Sequence, residues 1–212
     1  MAGGHSEAKP SNTVFYVIGI LWAITLVVVG YLYLSHYFTL YLETQQSDAS
    51  ATVGTSGFRI ASPAFSEGGA IPSMYTCDAK QVSPPLSISG VPASAHSLVL
   101  IMEDRDLSKS LKADGVFLHW TLFDIPPATT AIETGGGVGI SGASGNGVAG
   151  YIGPCPPRGY EPAVHRYHFD LYALDKTLDL PEGAKIADIR AAMDGHVIAE
   201  TSLMGTYERV AQ

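Results

Sequence analysis

Prolines at 154, 156 and 157 stand just ahead of an alternating strand pattern, and together they fix how Gly150 to Asp175 can fold. The prolines remove backbone donors and hold their predecessors extended, so the first half of this stretch is a rigid rim and not a helix. From His165 the alternation predicts a strand, with His165, Tyr167, Phe169 and Leu171 on one face and Arg166, His168 and Asp170 on the other. A His and a Tyr thus lead into an apolar face beside a stiff rim, which is one way to build a small-ligand pocket.

The other strong constraint is Val14 to Leu34, a run without a charge. As a helix it would span roughly 31 Å, and its aromatic residues suit the membrane interface. The expectation is one transmembrane helix, uncleaved although Ala49-Ser50-Ala51 offers a small-residue cleavage signal. The implied organisation is a polar tail (1–13), the span (14–34), a juxtamembrane stalk (35–56) and a globular domain (57–212). Lys9 precedes the span, while Glu43 and Asp48 follow it. This favours a cytoplasmic N-terminus and a periplasmic or extracellular domain.

A net charge of −8 leaves no basic stripe for phosphate backbones, so nucleic acid is excluded as a partner. Cys77 and Cys155 either pair in an oxidising compartment or remain separate buried thiols. Their spacing forms no zinc motif.

Short elements broken by Gly and Pro predict a mainly β sandwich with one or two short helices. The expected strands are Phe58–Ser62, Ser87–Ser89, Ser97–Met102, Phe117–Phe123, Tyr167–Leu174 and Val197–Tyr207, with Leu98 to Met102 central and buried on both faces. Ile186, Ile189 and Met193 mark a helix stopped by Gly195. The run Gly137-Val138-Gly139-Ile140-Ser141-Gly142 matches a dinucleotide fingerprint but lacks the strand-to-helix turn that motif needs. It reads instead as a flexible surface loop bordering the pocket.

Chemistry-bearing residues gather at strand ends. Asp104 and Asp106 close the apolar strand, and by spacing they share a direction. His119 precedes Trp120 and lies, by alternation, on the face of Phe117, Thr121 and Phe123.

The set Asp104-x-Asp106, His119-Trp120, Gly153-Pro154-x-Pro156-Pro157 and His165-Arg166-Tyr167-x-Phe169 resembles the phosphatidylethanolamine-binding protein family, and more closely its bacterial Raf-kinase-inhibitor-like branch. Ser62-Pro63-Ala64-Phe65, Tyr75-Thr76-Cys77-Asp78, Val82-Ser83-Pro84-Pro85-Leu86, Asp124-Ile125-Pro126-Pro127 and Ala192 to Val197 support it, across about Phe58 to Arg209. The resemblance implies a β-sandwich with a pocket for phosphate or a phospholipid head group, carried by Asp104, Asp106, His119, Pro154, His165 and Tyr167. It implies no catalysis, cofactor or metal. Two carboxylates repel phosphate unless histidines or a shared carboxyl are protonated, so binding should depend on pH.

Where relatives place prolines, this chain has Arg105 and Leu107-Ser108, and Lys109 to Asp114 enlarges the rim. Arg105 either turns outward or helps neutralise the site. Ile88 stands where many bacterial relatives have tryptophan, and an end soon after Tyr207 should leave access more open. The leading functional reading is a membrane-anchored, non-catalytic anion-binding domain, possible also in a regulatory role. A second is an accessory subunit of a membrane protein complex using the helix and domain surface as interfaces. A third, a metal-dependent hydrolase, could draw on Asp104, Asp106, His119 and His165, yet no Gly-x-Ser-x-Gly elbow is present.

Overall fold

The computed structural model describes Trp22 and residues 26–36, 57–159 and 161–209. The chain divides into two compact units, residues 1–54 and 55–212. In the first unit, 26–36 is helical with exposed apolar side chains, among them Leu26, Val27, Tyr31 and Leu32. Among the described residues no helix is long and apolar enough to cross a membrane. At about 1.5 Å per residue the described helical stretch covers roughly half a bilayer core, so the expected span Val14 to Leu34 has no counterpart among these elements. Residues 14–21 and 23–25, the polar tail and most of the stalk lie outside the described residues.

The second unit is built from two antiparallel sheets. The smaller one has the order β1-β2-β5, from β1 (Arg59–Ala61), β2 (Leu86–Ser89) and β5 (Ala131–Ile132). The larger has the order β6-β4-β3-β7-β8. Its strands are β3 (Ser97–Asp104), β4 (Phe117–Ile125), β6 (Ile140–Ser141), β7 (Val164–Leu174) and β8 (Val197–Glu208). One α-helix, α1 (Ile186–Met193), and a 3-10 turn (Ser73–Tyr75) complete it, and Gly195 follows α1 with φ 74°, the left-handed stop that glycine adopts without a Cβ clash.

Alternation along β3 divides the interior in two. Leu98, Leu100 and Met102 face the small sheet and pack with Ile60, Leu86, Ile88 and Phe169, while Val99 and Ile101 face outward to Leu178 and to Ile189 and Met193 of α1. Every residue of β3 is buried because both faces are covered. The strand's end therefore opens into the interior between the sheets, and that is where the candidate site forms.

The glycine-rich segment is not a free loop. Ile140 and Ser141 pair with Phe123 and Leu122 at the edge of β4, and Gly142 and Gly145 donate to the Thr121 and Leu118 carbonyls. A Cβ at Gly139 would sit 2.4 Å from the Phe123 carbonyl oxygen, so glycine permits this close approach.

Candidate functional site

β3 and β7 run antiparallel with Asp104 opposite Tyr167, and β3 and β4 with Asp104 opposite Phe117. This register brings the end of one strand and the start of two others to the same place. His165 Nδ1 lies 2.6 Å from Asp104 Oδ2, with both side chains almost wholly buried. A charge-assisted hydrogen bond of this kind is what allows such a pair to remain in a dry interior.

His119 reaches the site through an irregularity. Met102 pairs with Trp120, but the next residue, Glu103, pairs with Leu118, so His119 is the extra residue of a bulge. The bulge breaks the expected alternation. Instead of pointing with Thr121 and Phe123, the His119 ring meets Tyr167 edge-on, with centroids 5.2 Å apart, and Phe117 at 4.9 Å. Its Nδ1 lies 2.8 Å from the Ile152 carbonyl oxygen, and the Ile152 N–H donates to the His119 carbonyl. A carbonyl can only accept, so Nδ1 carries the hydrogen and, in the neutral ring, Nε2 is an acceptor. Burial lowers the His119 pKa despite that bond and the nearby Asp104 charge.

Tyr167 is fully buried against this ring, and its hydroxyl has no hydrogen-bond partner. Burial, then the Asp104 charge, push its pKa up, so the hydroxyl keeps its hydrogen. An unmade hydrogen bond in such a place is costly to leave.

The two aspartates do not act together. β3 ends at Asp104, so the strand spacing stops applying before Asp106. The Asp106 N–H donates to Asp104 Oδ1 at 2.9 Å, and its carboxylate turns to the Arg166 guanidinium and backbone N–H. His165 and Arg166 lie on opposite faces of β7, so their carboxylate partners are drawn apart. The Arg166 side-chain bond holds the Asp106 pKa below the usual range. Arg105 is likewise outside the site, bound to Glu103 and Asp170 on the outer face.

A cavity of about 430 Å³ opens beside His119, with Asp104, Leu107, Leu111, Lys112, Phe117 and the proline rim on its wall. Of the six residues expected at the site, Asp104 and His119 line it. His165 and Tyr167 stand directly behind them, while Asp106 does not contribute to the wall. Pro154 is buried between the wall residues Gly153 and Cys155, with its carbonyl accepting from the Cys77 N–H. Cys77 and Cys155 form a disulfide, their Cα atoms 5.4 Å apart, and Tyr151 Oη donates to the Tyr75 carbonyl. The rim is thereby fastened to the Ser73–Tyr75 turn.

Sequence reasoning missed Leu107 and Leu111 as wall residues. The available signal was Ser108, which caps a single helical turn through the Ser108 carbonyl and the Leu111 and Lys112 N–H groups, and so puts Leu107 and Leu111 on one side. Among the described residues no group of three or more His, Cys, Asp or Glu side chains is placed to hold a metal ion.

Known proteins share this fold. The family profile described as phosphatidylethanolamine-binding protein matches residues 61–208. A UPF0098 protein of Methanothermobacter thermautotrophicus is 46% identical over 153 residues, covering 69% of this chain and 95% of its own length. One from Chlamydia trachomatis is 43% identical over 152 residues, covering 71% and 99%. A crystal structure of a phosphatidylethanolamine-binding protein homologue from C. trachomatis superposes with a TM-score of 0.68 at 43% identity, over 72% of this chain and 98% of the other. Escherichia coli YbcL, at 24% identity, shares the fold with a TM-score of 0.64, over 72% of this chain and 99% of the other. These matches span both sheets and the strand ends that carry Asp104, His119 and His165, and the chain belongs to the phosphatidylethanolamine-binding protein family.

Proposed function

We propose that the globular domain binds a phosphoryl group without catalysing a reaction on it. The observation that carries this reading is the unpartnered hydroxyl of buried Tyr167, whose ring packs edge-on against His119 behind the cavity wall. Tyr167 supplies a hydrogen-bond donor and His119 Nε2 an acceptor, which a protonated phosphate oxygen can satisfy at neutral pH. Protonation of His119 converts that acceptor into a charged donor, so an anionic phosphate oxygen is favoured beside it as the pH falls. In this reading Asp104 and His165 fix the floor, Pro154 stiffens the rim, and Asp106 secures the entry of β7.

The test is titration calorimetry of the full chain with inorganic phosphate and phosphoethanolamine between about pH 5 and 8, the range over which histidine changes charge. Binding that tightens toward pH 5 and weakens in Tyr167→Phe is expected. Absence of heat across the range sinks the reading.

The proposal extends to location. The exposed apolar helical stretch 26–36 and the uncharged run around it support attachment to a membrane, and the Cys77–Cys155 bond supports a domain on its oxidising side. Protection of a C-terminal tag from protease added outside the cytoplasmic membrane would overturn that topology.

A further inference from the structure

The cavity has an uneven lining. Asp104 and His119 form one end, and Leu107, Leu111, Phe117 and Pro157 make most of the remainder. Among the described residues the Lys or Arg on the wall is Lys112, and its ammonium is directed to Asp114 at 3.1 Å and to the Val116 carbonyl. Only the aliphatic stem of Lys112 is left for the interior. Arg166 is engaged by Asp106, and Arg105 by Glu103 and Asp170.

The apolar side is constructed and not incidental. The Ser108 carbonyl accepts from the N–H groups of both Leu111 and Lys112, and Gly115 donates to the Lys112 carbonyl. Gly115 has φ 69°, and a Cβ there would lie 3.1 Å from the Leu107 carbonyl oxygen. These bonds hold residues 107–115 as a compact turn that presents Leu107 and Leu111 to the cavity. A volume of about 430 Å³ suits a small organic ligand with few polar groups better than a bare tetrahedral ion.

We propose that this turn makes the site selective for phosphomonoesters whose substituent is compact and apolar, with Leu107 and Leu111 as the specificity-determining residues. The inference rests on the phosphoryl-binding reading above and adds the class of substituent. The phosphoryl group occupies the end formed by Asp104 and His119, and the substituent lies against the leucines and Phe117. A charged substituent such as ethanolamine gains nothing there, since its ammonium would lose water without meeting a free carboxylate.

The experiment compares inorganic phosphate, phosphoethanolamine and phenyl phosphate by calorimetry on the full chain at pH 6. Phenyl phosphate is expected to bind at least about tenfold more tightly than inorganic phosphate. That factor corresponds to about 1.4 kcal/mol, which burial of roughly 60 Å² of apolar surface supplies. Phosphoethanolamine is expected within about threefold of inorganic phosphate. Leu107→Ser with Leu111→Ser, at a half-buried and an exposed position outside the core clusters, should cut the ratio of phenyl phosphate to inorganic phosphate affinity to threefold or less. Equal affinities for phosphate and phenyl phosphate, or an advantage untouched by the double substitution, overturn the inference and leave phosphoryl binding standing. If none of the three binds, the proposed function fails and this inference fails with it.

Discussion

His165 donates from Nδ1 to Asp104 across 2.6 Å, and the two side chains are 2% and 4% exposed. Asp104 also accepts from the Asp106 N–H, so a single carboxylate joins the end of β3 to the start of β7. Removing one member leaves the other buried without compensation, which costs about 3–5 kcal/mol. Asp104→Ala is expected to destabilise by about that amount in urea unfolding. Asp104→Asn keeps an acceptor oxygen for the Asp106 N–H and an amide that can donate to the other His165 tautomer, and should cost less, about 1–2 kcal/mol. Equal losses for the two substitutions would show that the hydrogen bonds are not what holds the site.

The Tyr167 hydroxyl gives a prediction with stability and binding moving apart. Because it has no hydrogen-bond partner, Tyr167→Phe removes an unsatisfied polar atom and keeps the ring. Stability should be unchanged or up to about 1 kcal/mol higher, while phosphate affinity falls. Loss of stability together with unchanged binding would place the hydroxyl outside the ligand site.

The pH dependence has a defined sign. Burial lowers the pKa of His119, and burial then the Arg105 charge lower that of His168. Below about pH 6.5, the ordinary histidine value, the unfolded chain therefore binds more protons than the native one. Stability is complete above that value and declines as the pH falls toward the depressed native pKa of each ring. Urea unfolding at pH 7.5 and 5.5 should show the loss, and His119→Gln with His168→Gln should flatten it. Asp106, with its pKa lowered by Arg166, works in a separate window. Its contribution is present above the ordinary carboxylate range and is lost only as the pH drops through the lowered value.

Much of the fold was legible because the long strands carry alternating or continuously apolar runs. β3 and β7 follow those patterns over most of their lengths. The two-residue strands β5 and β6 are too short to have a period, and β6 is held by backbone bonds to β4 where glycines allow close approach. The site was partly legible for a different reason. His165 and Tyr167 obey strand alternation, but His119 lies at a bulge that no local pattern announces, and Asp106 falls beyond the strand end where its spacing from Asp104 ceases to matter. Leu107 and Leu111 gain their place from a turn that only Ser108 hinted at.

The disulfide closes a long loop, with a sequence separation of 78 between Cys77 and Cys155. Its loss removes a constraint on the unfolded chain and loosens the rim that Cys155 shares with the cavity wall. Cys77→Ala with Cys155→Ala should cost about 2–4 kcal/mol in urea unfolding. Phosphate affinity should decline in the same variant, and reductant should reproduce both effects on the natural sequence. Intact affinity with lowered stability would mean that the remaining bonds, Tyr151 Oη to the Tyr75 carbonyl and Cys77 N–H to the Pro154 carbonyl, suffice to hold the rim.

Gly153 separates a steric role from a conformational one. A Cβ there would lie 2.8 Å from the Tyr75 carbonyl oxygen and 3.0 Å from the Thr76 carbonyl carbon, both backbone atoms that cannot rotate away. That same Tyr75 oxygen accepts the Tyr151 hydroxyl, so Gly153→Ala must push the rim outward and strain this bond. The expected cost is about 1–3 kcal/mol, with a fall in phosphate affinity because Gly153 is on the cavity wall. Gly159 provides the contrast. It has φ 79° and open space around it, so Gly159→Ala meets only the left-handed backbone penalty, roughly 1 kcal/mol, and should leave affinity unchanged. If the two alanine variants lose stability and affinity alike, general loosening of the 150–159 segment and not contact at Gly153 governs the site.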